Sequence, residues 1–249
     1  MLRGISHGLR KFWSDLTSGD LLILGLSIVL AVTAISSVSF LGDRLKSSIK
    51  QQASVVLGAD LSFRSASELG TQYLERAEGQ ALKTAETVSF LSMAIANEDN
   101  FLSSIKATTP TYPLRGNLII TDFNGQAIEH TGSPKRGYLW VEPKLVEQLS
   151  LEQNNIMTIG NMSFVVAGVL KDFPDRNVGF LAFSPTIIAN INDLNGMGVI
   201  QTGSRVVYRH LFSGSEKNIR AFVENVGPVP PEIRVQKIDD IGDQLGRTL

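Results

Sequence analysis

The chain has 249 residues, 43% of them hydrophobic and 19% charged, with a formal net charge of -1 at pH 7. That balance suits a folded protein and offers no electrostatic case for nucleic acid. Cysteine is absent, which excludes disulfides, thiolate metal sites and thiol catalysis.

Met1–Thr17 sets Leu2, Ile5, Leu9, Phe12, Trp13 and Leu16 at helical spacing, with Arg3, His7, Arg10 and Lys11 mostly between them. The pattern predicts a basic amphipathic helix lying in a membrane interface over residues 1–19, with Thr17-Ser18-Gly19-Asp20 as its break and as the cap of the next helix. The alternative is the n-region of a signal peptide cut near Ala34 or Ser39. Leu21–Leu41 then carries no charge. A helix of about 21 residues rises about 31 Å, enough to cross a hydrocarbon core of about 30 Å. The expectation is a transmembrane helix over 20–41 and one large domain over 42–249. Arg3, Arg10 and Lys11 on one side of the span balance Arg44, Lys46 and Lys50 on the other, so the basic residues leave orientation open.

Gly42–Leu57 continues the helical pattern of the span and Gly58 ends it. Ala59–Arg64 alternates as a strand, with Leu61 and Phe63 on one face. Ser65 and Glu68 read as a capping box for a helix through about Glu78, stopped by Gly79. Thr84–Met93 and Phe101–Ala107 read as strands around the turn cluster Asn97–Asn100. Asn117–Asp122 and Ala127–His130 flank a hairpin turn at Phe123-Asn124-Gly125. Tyr138–Val141 is a short strand, and Pro143 opens a helical turn to Leu149. Ile156–Ile159 and Ser163–Leu170 form a second hairpin about Gly160-Asn161. Val178–Phe183 reads as a strand, and Ser184-Pro185 as the start of a helix through about Asp193. Arg205–Phe212 is a strand, Ser215–Val226 an amphipathic helix, Pro228–Pro231 extended, and Ile233–Lys237 a short strand. Asp239–Leu249 begins a further amphipathic pattern with Ile241 and Leu245. The fold class expected is α+β: one N-terminal transmembrane helix, then a mixed domain with a β-rich middle lobe.

No catalytic constellation emerges. His7, His130 and His210 lack metal-ligand spacing. Neither G-x-S-x-G nor G-x-x-x-x-G-K-[ST] occurs, so the reading is not an enzyme, with no cofactor and no metal site. Asp172, Asp175 and Arg176 around Pro174 have ordinary turn composition. Asp239, Asp240 and Asp243 read as an exposed helix face, and Asn161-Met162-Ser163 as a chance sequon. Two loops are more specified than connectors need: Thr202-Gly203-Ser204-Arg205 reads as the turn entering a strand, whereas Thr108–Gly116, TTPTYPLRG, has proline on both sides of Tyr112. It would hold Tyr112 and Arg115 rigidly as a partner contact. The competing reading is a crossover in which Tyr112 packs inward.

The order of segments carries a resemblance. A basic amphipathic N-terminus and one span precede LGADLSFRS (Leu57–Ser65), TPTYPLRGNL (Thr109–Leu118), GYLWVEPKLVEQLSL (Gly137–Leu151), FVVAGVLKDFPD (Phe164–Asp175), FLAFSPTIIANINDL (Phe180–Leu194) and TGSRVVYRHLFSG (Thr202–Gly214). This resembles the front part of FtsX/MacB-type ABC transporter permeases, in particular their large members, over essentially the whole chain. The resemblance implies a cell inner membrane protein with its N-terminus cytoplasmic and a MacB-like periplasmic core domain. It implies membrane lipids, a cytoplasmic ABC ATPase and a second permease copy as partners, and ATP-coupled movement of a lipidic or hydrophobic substrate. The chain is then expected to be truncated before the next span. A membrane-anchored periplasmic sensor or binding module is the alternative, and an anchored hydrolase, lacking a nucleophile–base pair, a more distant one.

Overall fold

The computed structural model describes residues 19–128, 130, 132–176, 183–201 and 203–238. The amphipathic helix expected over 1–19 therefore lies almost wholly outside the described residues, as do the pattern at Asp239–Leu249 and all but the end of the strand expected at Val178–Phe183. The chain separates into two compact units between Ile49 and Lys50.

Helix α1 covers Gly19–Leu57, and Ile23–Arg44 within it is long and apolar enough to span a bilayer. From Ile23 to Leu41 its large apolar side chains are exposed on every side of the helix. A helix apolar all round needs an apolar surrounding. Two of its hydroxyls are already spent on its own backbone: Ser27 Oγ donates to Leu24 O at 2.7 Å and Thr33 Oγ1 to Val29 O at 2.7 Å. In hydrocarbon, where no water would take those donors, that matters.

The second unit begins with the last turns of α1, where Ala53 and Leu57 become buried. Then come β1 (Leu61–Ser65), α2 (Gln72–Glu78), β2 (Lys83–Ala96), β3 (Asp99–Thr108), β4 (Ile119–Thr121), β5 (Tyr138–Val141), α3 (Pro143–Gln148), β6 (Ile156–Ile159), β7 (Met162–Asp172) and β8 (Thr186–Asn190). A 3-10 turn at Ile191–Asp193 leads to α4 (Leu194–Met197), β9 (Val206–Ser213), α5 (Glu216–Val226) and β10 (Arg234–Lys237). The described strands join one sheet in the order β10-β1-β9-β2-β3-β8-β5-β7-β4. The fold is mixed helix and strand, as expected.

Strand β2 is shared between two substructures. Its first half, Lys83–Phe90, pairs with β9, and its end pairs with β6 through Ala94–Ile159 and Ile95–Thr158. Because β6 also pairs with β7, strands β2-β3-β8-β5-β7-β6 close into a ring. Closure removes exposed edges. The ring is filled by Phe90, Ile105, Leu139, Met157, Phe164, Val166 and Ile187, all nearly or fully buried. Beside it, β10-β1-β9-β2 carries α2 and α5 on one face, where Phe63, Tyr73, Phe212 and Phe222 pack as edge-on and tilted or stacked pairs.

Three expectations need correction. Ser65 ends β1 instead of capping a helix: its Oγ accepts from Ser67 N, and the helix starts later, after Thr71. Ser184-Pro185 opens a strand, β8, instead of a helix through Asp193. Thr186, Ile187 and Ile188 lie between β3 and β5 with every residue of the strand buried, and β-branched side chains buried on both faces favour a central strand over a helix. The return strand expected at Ala127–His130 is reduced, among the described residues, to one bridge from Thr121 to Ala127 and a bond from Ile128 N to Ile120 O. The two-residue turn at Asn97-Glu98 has both residues at positive φ, 51° and 68°, the geometry that matches the twist of a hairpin.

Candidate functional site

Where α1 ends, four segments of the second unit converge. Gly58, at φ +70°, stops the helix in a conformation that side chains resist. Its carbonyl then accepts from Leu114 N at 3.1 Å and Arg115 N at 3.0 Å, so the loop Thr108–Gly116 is tied to the end of α1. The same loop is tied to β2 by Glu86 N to Thr109 Oγ1 and Thr111 Oγ1 to Thr84 O. The Tyr112–Pro113 bond is cis.

Tyr112 faces inward, 1% exposed, with Leu57, Ala59, Ala85 and Leu211. This is the inward-packing reading of the loop, and it leaves the Tyr112 ring no surface to offer a partner. Its hydroxyl donates to the Asp175 carboxylate. Arg115 does reach the surface, with its side chain 43% exposed. It grips Asp60 with both prongs, Nε to Oδ1 at 2.9 Å and Nη2 to Oδ2 at 2.6 Å. Asp60 Oδ2 also accepts from Ser213 Oγ and Gly214 N. The bond to Asp60 raises the Arg115 pKa against the desolvation that lowers it. An open cleft of about 540 Å³ lies here, bordered by Ser54, Val55, Asp60, Arg115, Gly116, Asn117 and Ile238.

Asp175 is the hub. It sits in the loop after β7 at φ +47°, 3% exposed. Lys106 Nζ donates to its Oδ1 at 2.7 Å and to its backbone O at 2.9 Å, and Arg209 Nη1 donates to its Oδ2 at 2.9 Å. Asp175 N reaches Val55 O, on the last turns of α1, at 3.4 Å. One aspartate thus joins β3, β9 and the Tyr112 loop through its carboxylate, and the end of α1 through its backbone N–H. Burial lowers the pKa of Lys106, and the Asp175 charge opposes that. Burial, then the Asp175 charge, raises Tyr112 well above its ordinary 10.0.

The Lys106 ammonium, the Tyr112 hydroxyl and Arg209 Nη1 all bond Asp175, so the cluster fastens these segments together. Among the described residues no group of His, Asp and Glu is placed to hold a metal ion. His130 lies on Leu118 O and the edge of Trp140, and His210 beside Glu86 at 3.3 Å. Sequence reasoning passed over Lys106, Arg209 and Asp175 as site residues. The one signal was a lysine in the middle of β3, where every position from Ser103 to Thr108 is buried.

No family model matches the chain. The uncharacterized ABC transporter permease YbbP of Escherichia coli (strain K12) is 27% identical to it over 241 residues. The match covers 96% of this chain and 29% of YbbP, so the chain spans less than a third of that relative's length. The crystal structure of the periplasmic region of MacB from Actinobacillus actinomycetemcomitans superposes with a TM-score of 0.52 at 12% identity, covering 78% of this chain and 97% of that one. The extracellular domain of the noncanonic ABC-type transporter YknZ from Gram-positive bacteria gives a TM-score of 0.47 at 14% identity, covering 72% and 100%. In sequence over almost its whole length, and in fold over most of it, the chain is similar to ABC transporter permeases of the FtsX/MacB type.

Proposed function

We propose that this chain is the N-terminal part of an ABC exporter permease. In this reading α1 crosses the cell inner membrane over residues 20–41, with residues 1–19 on the cytoplasmic leaflet and residues 42–249 in the periplasm. A cytoplasmic ATPase drives the permease, a second permease copy completes it, and the cargo is lipidic or hydrophobic. The observation that carries the reading is the likeness to YbbP along 96% of the chain. The helical continuity of α1 from Gly19 to Leu57 supports a mechanical role. So does the grip on its last turns through Val55 O and Gly58 O. Motion entering by α1 would be passed to β3 and β9 through Asp175.

The full gene product, tagged and purified from membranes, should bring with it a separate polypeptide with a P-loop, and ATP hydrolysis should belong to that companion. Hydrolysis that stays with this chain after the companion is removed, and is lost on mutating this chain's domain, would contradict the permease reading.

A further inference from the structure

Strand pairing sets three arginines side by side. Arg64 on β1 lies directly opposite Arg234 on β10 and, on its other flank, directly opposite Arg209 on β9. Directly opposed residues share a face, with Cβ atoms about 4.5–5.5 Å apart. The alternate residues Phe63 and Phe212 belong to the core under α2 and α5, so the arginine row occupies the other face of this sheet. Like charges set opposite one another across strands destabilise a sheet, and among the described residues nothing relieves this row fully. Arg209 has one counter-ion, Asp175, and that carboxylate is shared with Lys106 and Tyr112. Among the described residues, no carboxylate pairs with Arg64 or Arg234. The Nε of Arg209 is buried without a hydrogen-bond partner, and so is the hydroxyl of Thr87, which lies directly opposite Arg209 on β2. A buried donor without an acceptor costs about 1–3 kcal/mol.

We propose that this row is a binding site for a small phosphate-class oxyanion, bridging Arg64 to its arginine neighbours. The row steps inward: Arg234 is exposed, Arg64 is intermediate, and the Arg209 side chain is 14% exposed. With only its outer end exposed, the row offers a small surface, which suits a compact tetrahedral group and not a peptide strand. Guanidinium forks pair bidentately with phosphate oxygens, and two neighbouring forks one strand spacing apart can share one such group. The anion would supply the missing negative charge and an acceptor for the spare donors. Burial and the charges of Arg209 and Arg234 all lower the pKa of Arg64, consistent with a position that lacks a counter-ion.

The test uses the full chain in a neutral detergent. Inorganic phosphate is titrated against chloride at matched ionic strength, with binding read by calorimetry and stability by the melting temperature. Phosphate should bind and raise the melting temperature. Arg64→Gln should weaken binding at least about tenfold, and Arg234→Gln, at the exposed end and tolerant of substitution, should weaken it too. Without phosphate, Arg64→Gln should melt no lower than wild type, because the substitution relieves repulsion instead of breaking a pair. Glycerol 3-phosphate and short-chain phosphatidylglycerol, run in parallel, separate the two sources of the group. Binding of the monoester alone assigns a soluble phosphate, and binding of the phosphodiester lipid assigns a headgroup. No binding by wild type above chloride, or unchanged binding in both glutamine variants, overturns the proposal.

Discussion

At the scale of single residues, Asp175 and Lys106 are not equivalent partners. Asp175→Asn leaves a lysine that is 0% exposed without its paired carboxylate, and breaking a buried pair from one side costs about 3–5 kcal/mol. Lys106→Met leaves Asp175 still bonded to Arg209 and Tyr112, so its cost should be clearly smaller. Chemical denaturation of the two variants checks the order, and equal losses would show that Arg209 does not support Asp175. Tyr112→Phe separates the electrostatics by pH. A raised folded-state pKa means the unfolded chain gives up the phenolic proton first. The stability that Tyr112 contributes is therefore full below pH 10.0 and is lost as pH climbs toward its folded-state value. Lys106 runs the other way: its lowered pKa gives a contribution present above 10.5 and lost as pH falls through the folded-state value. The lysine is common to wild type and Tyr112→Phe, so their difference isolates the tyrosine. Above pH 10 wild type should lose stability relative to the variant by about 1.4 kcal/mol per pH unit, and parallel pH curves would refute the assignment. This cluster was not legible in the sequence, because Lys106 and Arg209 stand 69 and 34 positions from Asp175. Nothing local marks an aspartate beside Pro174 as the partner of a lysine in a distant strand. The prolines around Tyr112 did mark a specified loop, but its reason is inward packing.

At the scale of elements, the hairpin β6–β7 turns on Gly160. Its φ is +57°, and a Cβ added there would stand 2.1 Å from Met197 O, the acceptor for Asn161 N. Gly125 also has a positive φ, +86°, but a Cβ there meets nothing within 4 Å. Gly125→Ala should therefore cost only the backbone strain, about 1–2 kcal/mol. Gly160→Ala should add an overpacking cost of about 1–3 kcal/mol. Equal melting temperatures for the two variants would show that the turn is free to move off Met197. Elements with a local signature were readable from the sequence: β2 and β3 by alternation about the Asn97-Glu98 turn, and α5 by its apolar stripe and the Ser215 cap, which accepts from Asn218 N. Strand β8 was not, because the proline before it mimics a helix start and its two-sided burial is set by β3 and β5, strands contributed from elsewhere in the chain. The closure of the ring through β6 likewise rests on two residue pairs 63 to 65 positions apart, Ala94–Ile159 and Ile95–Thr158, which no local pattern reveals.

At the scale of the whole molecule, the resemblance read from the order of segments is borne out by the likeness to YbbP and by the MacB fold, while the mechanical reading is a proposal. Ser48 is an exposed residue within α1. Ser48→Pro removes a helix hydrogen bond and kinks the rod at a cost of about 3 kcal/mol. In the full permease it should uncouple ATP hydrolysis from export while the domain's cooperative melt persists; undiminished export would exclude α1 as the lever. The central claim, a domain held outside the cytoplasm by one span, is tested most directly by the chain's lack of cysteine. Asn124→Cys, at the exposed tip of the turn after β4, gives a single reporter thiol, and Ser6→Cys gives its counterpart before the span. Each variant is treated in intact spheroplasts with a membrane-impermeant maleimide. The Asn124→Cys variant should label fully, and the Ser6→Cys variant only after lysis. Labelling of the Ser6→Cys variant in intact spheroplasts, with the Asn124→Cys variant protected, would contradict the account.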